Sequence, residues 1–129
     1  MGFIKVPLDD IKENEPVAEG EYELRIIKAE DTNSKAGNPM TAVTMRVEGI
    51  PTAALVRHWL VYPTEETPPD QRHMRLLDIK RFLHCFHIPM DGGGFDSADL
   101  EGQTGKCFVA QEEGDDDQVY NRLRLPRLR

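Results

Sequence analysis

The chain predicts an all-β OB-fold: a five-stranded Greek-key barrel with one helix between strands 3 and 4. Two observations carry this. Five strand-like runs and one amphipathic helix follow one another in the order strand, strand, strand, helix, strand, strand. The length of 129 residues suits one domain with a modest core. Residues 1–20 read as an N-terminal arm and residues 21–129 as the barrel domain. Barrels of this kind bind oligonucleotides or oligosaccharides on one face, so the fold expectation also proposes a site.

The arm contains Pro7, Pro16 and Gly20 with mixed charge and weak periodicity. The first strand is expected over Glu21–Glu30, where Tyr22, Leu24 and Ile26 alternate with Glu21, Glu23 and Arg25 and should face inward. Asp31–Pro39 is dense in turn formers and makes the first long loop. Thr41–Glu48 alternates again, with Val43, Met45 and Val47 on one face, until Gly49 and Pro51 break it. Ala53–Tyr62 is apolar on both faces. Its alternation therefore leaves open whether Val56, His58 and Leu60 or Leu55, Arg57 and Trp59 point to the core.

A Pro-rich linker over residues 63–69 precedes a helix that Asp70 is expected to cap, running to about Phe86. Leu76, Ile79, Leu83 and Phe86 form its apolar stripe, widened by Phe82, and Pro89 stops it. Gly92–Gly94 lack the Gly-Lys-Ser/Thr context of a phosphate-binding loop and read as linker. Lys106–Glu112 and Val119–Leu125 then form a hairpin, with Tyr120, Arg122 and Arg124 alternating against Asn121, Leu123 and Leu125.

The formal net charge of −7 at first argues against a polyanionic partner. Its distribution changes that reading. Five of the 23 acids, Glu112, Glu113, Asp115, Asp116 and Asp117, sit in the last hairpin turn. Five more, Asp9, Asp10, Glu13, Glu15 and Glu19, lie in the arm, which has only Lys5 and Lys12. The remaining barrel holds 13 acids against 14 bases, which leaves room for a basic groove beside acidic appendages.

Other chemistries find less support. His84, Cys85 and His87 have spacing that zinc could use, with His73 and Cys107 as further donors, but there is no paired-cysteine motif. The acidic turn lacks the glycine position of a calcium loop. No nucleophile elbow, paired-carboxylate motif or nucleotide-binding glycine signature stands out, so no enzymatic activity, cofactor or metal is expected. Cys85 and Cys107 lack the dense spacing of a secreted disulfide scaffold. No apolar run reaches the roughly 20 residues of a membrane span, and no basic segment leads into an apolar one at the N-terminus. A soluble, cytoplasmic protein is expected, with no membrane partner.

Glu19-Gly20-Glu21-Tyr22 opening the first strand, the Lys35-Ala36-Gly37 loop, Leu100-Glu101-Gly102 through Gly105-Lys106, and Asn121 in the last strand carry a family resemblance over roughly residues 16–128. In these the chain resembles a phage family of single-stranded-DNA-binding proteins with an OB-like barrel, formerly catalogued as a domain of unknown function. The resemblance implies sequence-nonspecific coating of single-stranded DNA in a host cytoplasm during replication or recombination. The replication or recombination proteins themselves, and a homodimeric second copy, are the further partners considered.

Strand binding needs cations that track phosphates and aromatic faces on which bases stack. Arg57 and Trp59 share one face of strand 3, where Trp59 is either a stacking ring or a core tryptophan. Tyr120, Arg122 and Arg124 form a second patch, because an arginine pair seldom faces a small core. Lys28, Lys35 and Arg46 flank the same region from strands 1 and 2 and their loop, and Tyr62 ends strand 3 with a ring that stacks a base or covers the barrel mouth. A protein-interaction module that uses the acidic loop and arm, as a nucleic-acid mimic would, is the alternative.

Overall fold

Residues 2–128 are described by a computed structural model. They form a mostly β fold in which β1 (Gly20–Asn33), β2 (Pro39–Val47), β3 (Val56–Val61), β4 (Thr104–Glu113) and β5 (Val119–Arg124) make one antiparallel sheet ordered β3-β2-β1-β4-β5. Helix α1 (Pro69–Cys85) and a short 3-10 turn (Ser97–Asp99) lie between β3 and β4. Among the described residues, no helix is long and apolar enough to cross a membrane.

Strand β1 organises the sheet by serving two neighbours. Gly20–Arg25 pairs with β4, while Leu24–Asn33 pairs with β2. An irregularity between Ile26 and Lys28 places one extra residue in the ladder. Such a bulge reverses which side chains face inward and sharpens the local twist. Leu24 and Ile26 are buried before it, whereas Ala29 packs on the core after it, so Lys28 and Glu30 emerge on the outer face. The strand runs on through Asp31–Asn33, which their turn-forming composition assigns to the loop, because pairing with Thr41, Met40 and Pro39 of β2 holds them in the ladder.

The inner face is closed by α1. Ile79, Phe82 and Leu83 from the helix and Phe86 just beyond it pack on Val43, Met45, Val56, Leu60 and Val109. Phe82 stacks on Phe86 at 4.6 Å between ring centroids. His58 lies parallel to Phe82 at 5.2 Å, and its Nε2 is 3.1 Å from Asp78 Oδ2. This pins β3 to the helix and settles its ambiguous register: Val56, His58 and Leu60 point inward. The helix end also approaches β4 so closely that a Cβ at Gly105 would stand 2.6 Å from the Cys85 carbonyl oxygen.

Two details differ from expectation. Asp70 does not cap α1; it lies in the first turn, behind Pro68 at the cap position and Pro69 at the first helical position. The Pro68-Pro69 pair enforces an extended entry, and Asp70 instead complements the positive end of the helix dipole. Leu76, expected in the buried stripe, is exposed at the rim of an open cavity that it lines with Ile79, Leu83, Tyr62 and Gly92–Gly94.

The end of the arm is built into the sheet. Glu15 N–H donates to Thr52 O, and Ala54 N–H donates to Glu15 O at 2.8 Å. Val17 is buried between Asn121 and Gln111. Its N–H donates to Asn121 Oδ1 at 2.9 Å, while its carbonyl accepts from Asn121 Nδ2 at 3.0 Å and Gln111 Nε2 at 2.8 Å. Asn121 is thus a buried polar side chain with its partners in place, joining β5 to the arm.

Candidate nucleic-acid interface

The strand pairings decide which side chains share the outer face. Because Val56, His58 and Leu60 face inward, Arg57 and Trp59 face outward, and Trp59 is 40% exposed. At the other edge of the sheet, burial of Asn121 turns Tyr120, Arg122 and Arg124 outward. No ladder joins β3 to β5, yet the sheet curls until their outer faces meet. The Arg122 guanidinium lies 5.7 Å from the centre of the Trp59 ring and 5.1 Å from that of Tyr120. Arg124 stands 5.1 Å from the Phe108 ring across the β4–β5 ladder.

The cluster is therefore an alternating row of arginines and aromatic rings over an open cleft of about 840 Å³, whose walls include Arg57, Trp59, Tyr120 and Arg122. Among the described residues, Arg57, Arg122 and Arg124 have no carboxylate partner. Cations beside flat rings suit a ligand with alternating negative charge and π faces.

Tyr120 is held in place from three sides. Its hydroxyl donates to Asp116 Oδ2, Arg122 lies over its ring, and Gly114 leaves space that a Cβ would fill at 2.6 Å from the ring. The shared hydrogen bond lowers the Asp116 carboxyl below its ordinary range, helped by the Gln118 N–H, and raises the Tyr120 phenol above its own. The acidic turn thus positions an aromatic ring of the cluster. No group of three or more metal-ligating side chains is gathered among the described residues, and His84 and His87 are exposed while the Cys85 thiol donates to Lys106 O.

The other expected site residues are placed differently. Arg46 is on the outer face but 3.3 Å from Glu48, which also pairs with Arg25. These contacts, led by Arg25, lower the Glu48 carboxyl below its usual range. Lys28 pairs with Glu30 at 3.3 Å, and Lys35 is exposed in the β1–β2 turn, away from the cleft. Tyr62 does not join Trp59. It continues the inward phase of β3, shares a hydrogen bond with Thr41 Oγ1 and packs near Phe95 at 6.3 Å. Burial pushes its phenol above the ordinary value. It lines a separate cavity between α1, the start of β2 and Gly92–Gly94.

Phe108 was not singled out from the sequence. The signal was available: it alternates with Cys107 and Val109, so burying those two turns it outward opposite Arg124.

Residues 4–124 match a family described as "Protein of unknown function (DUF669)". The chain belongs to this family. No curated protein matches it. The matched span begins inside the arm and ends at Arg124, so it takes in every residue of the arginine–aromatic row.

Proposed function

We propose that this family member binds single-stranded DNA without sequence preference, across the outer seam of β3 and β5. The observation that carries the reading is the row Arg57, Trp59, Arg122 and Tyr120, assembled from strands far apart in the chain and free of carboxylate partners among the described residues. Trp59 and Tyr120 stack bases while Arg57, Arg122 and Arg124 hold phosphates, and Phe108 with Arg124 continues the track. No bond is made or broken; the work is coating and protection.

The fold reading behind this is an OB-type Greek-key barrel. It is supported by the order β3-β2-β1-β4-β5, the helix between β3 and β4, and the curl that brings the edge strands together. The resemblance to phage single-stranded-DNA-binding proteins points to replication or recombination in a host cytoplasm.

A second reading, a protein-interaction module, draws on the charge of −7 and on Phe3, Ile4, Leu8 and Ile11, which lie exposed along the arm. One titration separates the two. Trp59 is the single tryptophan, so its fluorescence reports on the cleft alone. Oligo-dT should quench it with a steep salt dependence, while duplex of equal length should do so weakly. No response to either, in fluorescence or gel shift at low salt, would leave the interaction module as the reading.

A further inference from the structure

The cleft has a second wall. Opposite Arg57, Trp59, Tyr120 and Arg122 it is lined by Ile11, Lys12, Glu13, Asn14 and Pro16 of the arm. This segment carries Asp9, Asp10, Glu13 and Glu15 against Lys5 and Lys12, and among the described residues none of those four carboxylates is ion-paired. Glu13 therefore lines the cleft together with Arg57 and Arg122, and Asp9 and Asp10 precede it at the start of the same exposed segment. The segment is bolted down just past the cleft, through Glu15 at Thr52 and Ala54 and through Val17 at Asn121. On the other side of the bolt it is exposed, with Ile11 71% accessible. A short tether from a fixed point keeps the local concentration of such a segment high, in the millimolar range for short flexible linkers.

We propose that residues 9–14 form an acidic strap that competes with a nucleic-acid strand for the β3–β5 cleft, so that binding of the strand displaces the strap. This rests on the strand-binding reading above. The strap offers the arginines carboxylates in place of phosphates, and the lack of fixed ion pairs lets it leave without breaking a locked contact. Its effect is to favour long strands, whose many phosphates outcompete it, over short or isolated anions.

The test uses the full chain with charges removed at exposed positions. The strap variant carries Asp9→Asn, Asp10→Asn and Glu13→Gln. A control removes the same formal charge at Glu65→Gln, Glu66→Gln and Asp99→Asn, which are exposed and do not line the cleft. A strap occupying the cleft about four-fifths of the time lowers apparent affinity about fivefold. The strap variant should therefore bind oligo-dT about fivefold tighter than the natural chain, with the control close to the natural chain. In the free protein, the uncharged quencher acrylamide should quench Trp59 more readily in the strap variant only. Equal gains in both variants would reduce the effect to net charge and overturn the strap. So would a strap variant that binds no tighter, or one in which acrylamide quenching is unchanged. If neither the natural chain nor any variant binds oligo-dT, the strand-binding reading itself has failed and the strap falls with it.

Discussion

The outer face of the sheet divides into two regions that look alike in composition and differ in how their charges are matched. Across β1, β2 and the start of β4, cations meet acids: Arg25 and Arg46 share Glu48, Lys28 pairs with Glu30, and Lys106 lies 3.7 Å from Glu21. Along β5, Arg122 and Arg124 meet the rings of Trp59, Tyr120 and Phe108 instead, and Arg57 on β3 is beside the same cleft. Exposed ion pairs of the first kind contribute only about 0–1 kcal/mol each to stability, so their main consequence is local neutrality. The second arrangement leaves positive charge available to a ligand. A count of arginines and lysines along the strands does not distinguish these regions; the identity of the cross-strand neighbour does.

The largest effect is expected at Trp59. Trp59→Ala should weaken oligo-dT binding about five- to 150-fold at every salt concentration, because base–ring stacking is worth about 1–3 kcal/mol and is not ionic. Gel shift replaces fluorescence as the readout for that variant. If affinity is retained, Trp59 does not stack bases.

Arg122→Ala should act differently. Loss of one phosphate contact lowers the slope of log K against log salt by about 0.7 on single strands. An unchanged slope would take Arg122 out of the groove. Arg46→Ala sharpens the contrast, because a guanidinium already held by Glu48 should leave the slope nearly unaltered. A loss equal to that of Arg122 would erase the division between the two regions.

The smallest effect concerns the turn that holds Tyr120. Asp116→Asn removes the carboxylate that raises the phenol, so the Tyr120 titration should move down toward its ordinary value near 10, as read by phenolate absorbance against pH. The linkage has a definite sign. The Asp116 carboxyl is lowered in the folded chain, so its contribution to stability is present above its ordinary value of 3.8 and is lost as pH falls through the lower folded value. Acid titration of the natural chain and the variant should therefore converge at the low end of that window.

The faces of β1 and β2 were legible in the sequence because only one side of each is buried, and a strand buried on one side alternates with a period of two. Leu24, Ile26, Val43, Met45 and Val47 are buried as that pattern requires. The helix was legible for the same reason at its own period. The face of β3 was not, since Ala53–Tyr62 is apolar on both sides; His58 against Phe82 and Asp78 decides it, and those partners come from α1. The same phase carries Tyr62 inward, where it bonds Thr41 and packs on the core instead of joining the outer arginine–aromatic row.

The candidate site followed the same divide. That Arg57 and Trp59 share a face, and Tyr120, Arg122 and Arg124 another, is a consequence of strand pleat alone and could be read from residue order. That the two faces meet, that Glu48 silences Arg46, and that the arm closes the cleft from the far side are decided by curl and long-range pairing. Local alternation determined what each strand presents, because side-chain direction depends only on neighbours in the chain. Which of those presented groups stand together was left to the tertiary structure, because proximity across a sheet depends on register, bulge and twist summed over the whole molecule.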